Sequence, residues 1–283
     1  MRKIHPEAIV RIMDLLKNLG SLYATARRYV EAEEQYKEYI DIFLQTTPKP
    51  HFDLVNVLER LAEVYIAQYL YDKSEPLLLQ ALDILHSNLP VSHVEIIPVL
   101  SKMARIYCVL DGKELYAEPF LLEILDISRH SFIGNNEKII LALKDLASFY
   151  EKNKQIIKAE PLRKEILSIV EKNINSVSEE IPMTDEETND LFESFYNLAK
   201  VCQDLRRNQD AEDFYLKALE LARESFWDGD TRWSSVLNKL VDLYKTQGRD
   251  SESKPLKLEA EKVMAALQEA YEQSNINYDV LDD

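Results

Sequence analysis

Hydrophobic and polar positions recur along the chain with a helical period. Four apolar residues between positions 58 and 65 are Leu58, Leu61, Ala62 and Tyr65. A spacing of i, i+3, i+4 and i+7 places these side chains on one face of an α-helix. A short polar turn follows, and then a second apolar face at Ser74, Leu77, Leu78, Ala81, Leu82 and Leu85. The pattern therefore predicts a helical hairpin, which is a pair of amphipathic helices joined by a short turn.

This hairpin pattern occurs six times along the 283 residues. Its copies begin at Asn18, Arg60, Lys102, Asp145, Asn197 and Lys239. Successive copies start 42 or 43 residues apart, except that the fourth and fifth start 52 residues apart. The chain length alone would suggest about two globular domains, but a sustained period predicts a single repeat domain over residues 1–273. Its repeats are expected at residues 12–47, 54–88, 96–131, 139–173, 191–225 and 233–268.

Two columns of small residues indicate where the paired helices approach each other. One column lies in the first helix of each hairpin, at Gly20, Ala62, Ala104, Ala147 and Ala199, with Val241 in the sixth copy. The other lies in the second helix, at Ala32, Ser74, Ala117, Ala159, Ala211 and Ser253. A bulky side chain in either column would overpack the helix pair, at a cost of about 1–3 kcal/mol.

The motifs of each copy resemble the tetratricopeptide repeat. The family's L-G/A-x-x-Y pattern in the first helix matches Leu61-Ala62-Glu63-Val64-Tyr65, and its later small and apolar positions match Ser74, Leu78 and Ala81. The 42-residue period and the A-E-P form of the second helix, as at residues 159–169, are similar to the long-repeat branch found in kinesin light chains. The resemblance implies an all-α fold, a right-handed α-solenoid of six helix-turn-helix hairpins with a C-terminal capping helix. It covers nearly the whole chain, but the proline that usually ends the second helix is missing.

Two acidic segments lie outside the repeat pattern. Residues 171–187 are predicted to form a long, mobile inter-repeat loop, which is either a tolerated insertion or a regulatory segment that binds a partner. Residues 274–283 are predicted to form an acidic tail, which could fold back onto a basic surface and compete with partners. The sequence leaves the choice open in both cases.

Composition excludes several classes of function. The chain has 34 Lys and Arg against 50 Asp and Glu, a formal charge of −16, which argues against a nucleic-acid partner. Only 5 residues are Gly, so glycine-rich nucleotide-binding loops are not expected and the hairpin turns should not depend on glycine. No apolar run is long enough to span a membrane, and the 5 His and 2 Cys lack metal-ligand spacing. We expect no metal, no cofactor, no catalytic residues, no membrane insertion and a cytoplasmic location.

Candidate binding residues come from the first helix of each repeat. In solenoids of this kind, the first helices line a concave groove. The residues assigned to the groove are Asn18, Arg60, Lys102, Arg105, Lys144, Asn197, Lys200 and Lys239. Amide side chains can hydrogen-bond an extended peptide backbone, and Lys and Arg can pair with its carboxylates. The alternative is an ordinary solvated helix face without a ligand.

These residues predict a protein-interaction adaptor or scaffold that binds an extended, acidic or C-terminal peptide segment of another protein. One alternative is a structural assembly factor or constitutive subunit that uses its convex face or edges, and another is an enzyme built from scattered groove residues. The family's carboxylate clamp has Asn four residues after Lys, whereas Ser21 follows Lys17 and Ser148 follows Lys144. Binding of chaperone tails is therefore not predicted. Trp227 and Trp233 could anchor a partner or pack over a repeat junction, and Cys202 is expected to be a buried core thiol.

Overall fold

A computed structural model describes residues 6–47, 52–90, 92–110, 112–132, 136–176, 182–227 and 229–279. Over these residues the chain forms twelve α-helices and no β-strand. The first helices of the hairpins are α1 (Pro6–Thr25), α3 (Phe52–Ala67), α5 (Ile97–Val109), α7 (Asn136–Lys152), α9 (Asp185–Asp204) and α11 (Thr231–Thr246). The second helices are α2 (Tyr29–Thr46), α4 (Tyr71–Asn88), α6 (Glu118–Ser131), α8 (Ile156–Ser176), α10 (Asn208–Ser225) and α12 (Asp250–Asp279). The all-α repeat fold predicted from the hydrophobic period is confirmed.

The chain divides into two compact units, Met1–Ala142 and Leu143–Asp283. In the first unit, each helix from α1 to α5 packs on the next one along the chain. In the second unit, α8 packs on α9, α9 on α10, α10 on α11 and α11 on α12. Because these helices pack on their neighbours along the chain, the core of each unit runs along the series of hairpins and does not collect around one centre.

The two columns of small residues lie at the helix contacts, as predicted. Ala62 and Ala199 in the first helices are fully buried, and so are Ala32 and Ala159 in the second helices. At Gly20 the approach leaves no room for a side chain, because a Cβ there would lie 2.6 Å from Cε1 of Tyr36. Small side chains therefore set the distance between the paired helices.

All six hairpin turns place one residue in the left-handed region at the same repeat position. Glycine occupies it in two turns, Gly112 at φ 78° and Gly248 at φ 72°. The other four are Arg27, Tyr69, Lys154 and Arg206, with φ between 58° and 61°. The prediction that the turns avoid dependence on glycine holds for four turns, but the backbone geometry is the one glycine favours.

The acidic loop predicted at residues 171–187 is shorter in the structure. Helix α8 continues to Ser176, and α9 already begins at Asp185. A capping box explains this early start, because the side chain of Thr184 accepts from the backbone N–H of Glu187 and the Glu187 carboxylate accepts from Thr184 N–H. Carboxylates in the first turn also favour a helix N-terminus. Residues 177–181 lie outside the described residues, so the mobility predicted for this segment is untested.

The predicted acidic tail at residues 274–283 is largely helical in its backbone. Helix α12 continues to Asp279, and residues 280–283 lie outside the described part of the chain. The proposed folding back of this tail stays a prediction.

Candidate functional site

The eight predicted binding residues lie on the solvent-accessible side of the first helices, and we call this set the first-helix face. Asn18 and Arg105 are exposed, and the other six are partly exposed. The residues between them in sequence, such as Leu61 and Leu198, are buried. Asn18, Arg60, Lys102 and Arg105 belong to the first unit, and Lys144, Asn197, Lys200 and Lys239 belong to the second.

In the first unit, Arg60 links two neighbouring first helices. Its Nη1 donates to Oγ of Ser21 on α1 at 2.6 Å, and its Nε donates to Oδ1 of Asn56 at 2.8 Å. The guanidinium is thus held along the helices, and part of its hydrogen-bonding capacity is already used.

Lys102 is neutralised by two carboxylates of α3. Its Nζ lies 2.7 Å from Oε1 of Glu59 and 3.1 Å from Oε1 of Glu63. Desolvation alone would lower the pKa of Lys102, but the hydrogen bonds and charges of the two glutamates outweigh it and raise the pKa. Lys102 therefore offers a partner little free positive charge, although the sequence analysis placed it among the candidate groove residues.

In the second unit, polar contacts again join successive first helices. Nζ of Lys144 on α7 lies 2.8 Å from Oδ1 of Asp190 on α9. Nη1 of Arg232 on α11 donates to Oδ1 of Asn189 on α9 at 2.7 Å. Asn197 donates its amide to Glu193 one turn earlier, at 3.0 Å. Its amide oxygen accepts no hydrogen bond from any described residue, and so it can accept one from a ligand N–H.

An aromatic side chain completes this part of the second unit. The ring of Tyr196 stacks on Phe192 with 6.0 Å between centroids, and Nζ of Lys200 lies 6.0 Å from the Tyr196 centroid. Desolvation, with a smaller contribution from the charge of Glu193, raises the pKa of Tyr196. Tyr196 precedes Asn197 directly, so its position in the repeat could have identified it as a candidate binding residue. The sequence prediction omitted it because it considered only cationic and amide side chains.

Arg105 and Lys239 differ from the other cations of the first-helix face. Among the residues that the structure describes, neither forms an ion pair or hydrogen bond through its side chain. Asp145 occupies the same repeat position as Lys239. It has no cationic partner among the described residues, and desolvation raises the pKa of its carboxyl group. Free positive charge on the face therefore sits mainly at Arg105 and Lys239, with Lys200 beside Tyr196.

A second set of polar contacts, which the sequence did not predict, joins several repeats to the second helix of the preceding repeat. The Tyr107 hydroxyl donates to Glu75 at 2.5 Å, and the Tyr244 hydroxyl donates to Glu212 at 2.9 Å. Where Cys202 replaces the tyrosine, Arg207 reaches the corresponding carboxylate of Glu160 at 2.5 Å. These contacts link successive repeats.

Burial and packing account for the other residues that the sequence singled out. Cys202 is fully buried, and desolvation raises the pKa of its thiol, so the side chain is a neutral core group as predicted. Trp233 packs against the core of the second unit and donates to Glu259 at 3.2 Å. Trp227 is 53% exposed, and its indole lies where a Cβ at Gly229 would be.

A cavity of about 520 Å³ opens in the first unit between α1, α2 and the start of α3. Desolvation and the nearby charges of Asp53 and Asp14 raise the pKa of Tyr39 in its wall to about 12. Lys17 at the rim lies 3.4 Å from Asp14. The cavity is therefore a poor site for an acidic ligand. Its lining residues are Ile9, Val10, Met13, Asp14, Lys17, Tyr39, Phe43, Thr46, Thr47 and Asp53.

Two kinds of site are missing from the described residues. They contain no group of three or more His, Cys, Asp or Glu side chains that could hold a metal ion. No helix among them is both long and apolar enough to cross a bilayer.

Comparison with known proteins supports the repeat assignment. The tetratricopeptide repeat family matches residues 192–225, which hold most of α9 and all of α10. None of the proteins of curated function matches the chain in sequence.

Solved structures are similar in fold at low sequence identity. A structure of a Podosopora anserina putative kinesin light chain with nearly identical TPR-like repeats is 19% identical, has a TM-score of 0.59, and covers 78% of this chain and 99% of its own. BtubC (BKLC) from P. vanneervenii is 15% identical with a TM-score of 0.54, and 92% of each chain is covered. The apo form of RapI is 14% identical with a TM-score of 0.53, and covers 93% of this chain and 98% of its own. Residues 192–225 therefore match a tetratricopeptide repeat, and the described residues share the fold of TPR-like repeat structures, among them that of a putative kinesin light chain.

Proposed function

We propose that the chain is a non-enzymatic scaffold that binds an extended, acidic segment of a partner protein on its first-helix face. The proposal also places the protein in the cytoplasm. The observation that carries it is the solvent-accessible set Tyr196, Asn197, Lys200 and Lys239 in the second unit. This set combines an aromatic surface, an available amide oxygen and two cations within a chain whose formal charge is −16.

Each member of this set suits one feature of an extended peptide. The Asn197 amide oxygen can accept from a peptide N–H, and Lys200 and Lys239 can pair with carboxylates. Tyr196 offers an aromatic surface for an apolar side chain, and aromatic residues are enriched at interfaces for that reason. The first unit is the weaker candidate, because Glu59 and Glu63 neutralise Lys102 and Arg60 is engaged with Ser21. Of its three cations on the first-helix face, this leaves Arg105 alone without a partner among the described residues.

An array of extended peptides of equal length tests the proposal. The peptides would cover a graded series of net charge from acidic to basic, with one aromatic or leucine position varied. We expect the full chain to bind acidic peptides more tightly than neutral ones, and the binding to weaken as salt rises, since exposed charges are screened. Equal binding across the charge series would contradict the proposal.

A further inference from the structure

The outward face of α1 carries a stripe of exposed apolar side chains. Ile12, Leu15, Leu19 and Leu22 are 41%, 67%, 38% and 66% exposed. Their spacing of three, four and three residues is the one through which helices pair along a common seam. Helix α1 has 20 residues, which corresponds to a length of about 30 Å. The stripe is therefore long enough for a second helix to pack along it.

The same columns are buried in the other first helices. The position of Leu15 is taken by Val57 in α3, Val99 in α5 and Val236 in α11, all 0% exposed. The position of Leu22 is taken by Val64 at 2% and Ile106 at 0%. In each unit these first helices pack against the second helix that precedes them. Helix α1 thus carries the side chains of an interior repeat interface, but no described second helix covers them.

Helix α12 carries polar side chains at positions where α4 carries buried leucines. Lys257 and Glu261 stand at positions that in α4 are Leu78, at 0%, and Leu82, at 5% exposure. They form an exposed ion pair at 3.6 Å. Terminal repeats of solenoids carry such polar outer faces because nothing stacks on them. The last repeat has this feature and the first does not.

We propose that the α1 stripe docks on the same stripe of a second copy of the chain and forms a two-fold symmetric dimer. An apolar stripe is complementary to itself, and a contact between identical surfaces closes after two subunits. Head-to-tail stacking on α12 is disfavoured, because Lys257 and Glu261 would lose water against leucine side chains. In such a dimer each α1 would cover the stripe of the other copy, as the preceding second helix covers the same columns of the other first helices.

Light scattering coupled to size-exclusion chromatography of the full chain tests this dimer. We expect a mass twice the chain mass of 32.9 kDa at about 10 µM protein, with dissociation on dilution. The variant Leu15→Glu/Leu22→Glu should halve the mass and leave the far-UV circular dichroism unchanged, whereas Leu15→Met/Leu22→Met should stay dimeric. The control Leu258→Glu removes another exposed leucine, 55% exposed on α12, and should not change the mass.

Two results would overturn the proposal. One is a wild-type mass of 32.9 kDa at about 100 µM protein, which would leave the α1 stripe to a different protein. The other is a dimer that persists in Leu15→Glu/Leu22→Glu. If that variant loses its helical signal, the dilution series of the wild type and a single Leu22→Glu change decide the question.

Discussion

Arg206 shows at the scale of one residue how this chain makes its turns with few glycines. Its φ of 60° lets the N–H of the next residue, Arg207, donate to the carbonyl of Cys202 at 2.8 Å. That bond satisfies a carbonyl at the end of α9 that would otherwise lack a partner. The left-handed conformation costs an ordinary L-residue about 1–2 kcal/mol. Four of the six turns carry this strain, and sequence composition could not reveal it because no residue type marks the position.

We expect the change Arg206→Gly to stabilise the protein by about 0.5–1 kcal/mol, since relief of left-handed strain outweighs the added freedom of glycine in the unfolded chain. Gly248→Ala, at φ 72°, should destabilise it by a similar amount and serves as the reverse control. Urea denaturation of both variants measures the effect. A loss of stability in Arg206→Gly would show that the side chain, and not the backbone, matters at this position.

The packing of each helix pair depends on the small residues where the two helices meet. Ala62 of α3 is 0% exposed, so Ala62→Leu should overpack the pair of α3 and α4 and cost about 1–3 kcal/mol. Ala67→Leu makes the same change at an exposed position of the same helix and should be nearly neutral. Thermal unfolding compares the two variants, and equal melting temperatures would contradict the packing argument.

Contacts between elements also include a carboxylate that should make stability depend on pH. Glu212 accepts hydrogen bonds from the Tyr244 hydroxyl and from the two terminal nitrogens, Nη1 and Nη2, of Arg249. The hydrogen bonds from Arg249 hold the pKa of Glu212 below its ordinary value, although desolvation opposes this shift. The stabilising contribution is therefore complete above the unfolded-state pKa of about 4.3 and is lost as the pH falls through the lower folded-state pKa.

We expect Glu212→Gln to lower the free energy of unfolding at pH 7 by about 2 kcal/mol. The difference from wild type should shrink as the pH drops below about 4. Glu220→Gln, an exposed change on the same helix, should have little effect at either pH. Denaturant unfolding at both pH values measures this dependence, and a loss of equal size at both would show that the charge of Glu212 is not the cause.

Repeat period and hydrophobic spacing could predict most of the elements, because each helix depends on its own local pattern. The boundary at Thr184 could also have been found, since Thr184 and Glu187 have the spacing of a capping box. The pairing of Lys102 with Glu59 and Glu63 could not be predicted by comparing residues at one repeat position. It joins residues at different positions of two successive repeats, and only the distance between α3 and α5 decides whether their side chains meet.

Some of the carboxylates behind the net charge of −16 form ion pairs with cations of the first-helix face. A stripe that looks basic in sequence is partly neutralised by carboxylates on the neighbouring first helices. Reversing Lys102 would therefore place a third acid beside Glu59 and Glu63, so any loss of binding could come from misfolding. Lys200 and Lys239 are better positions for a test, because no ion pair within the described residues depends on them.

The most direct test of the proposed function is the affinity of the tightest acidic peptide, measured by fluorescence anisotropy. Lys200→Glu/Lys239→Glu is compared with Lys172→Glu/Lys262→Glu, which changes net charge equally at exposed positions of second helices. Circular dichroism confirms that both variants are folded. We predict that the first variant weakens binding by about tenfold or more and that the second stays close to wild type, since only the first loses contacts with the peptide. Equal affinity in the two variants would contradict the assignment of the first-helix face as the binding site.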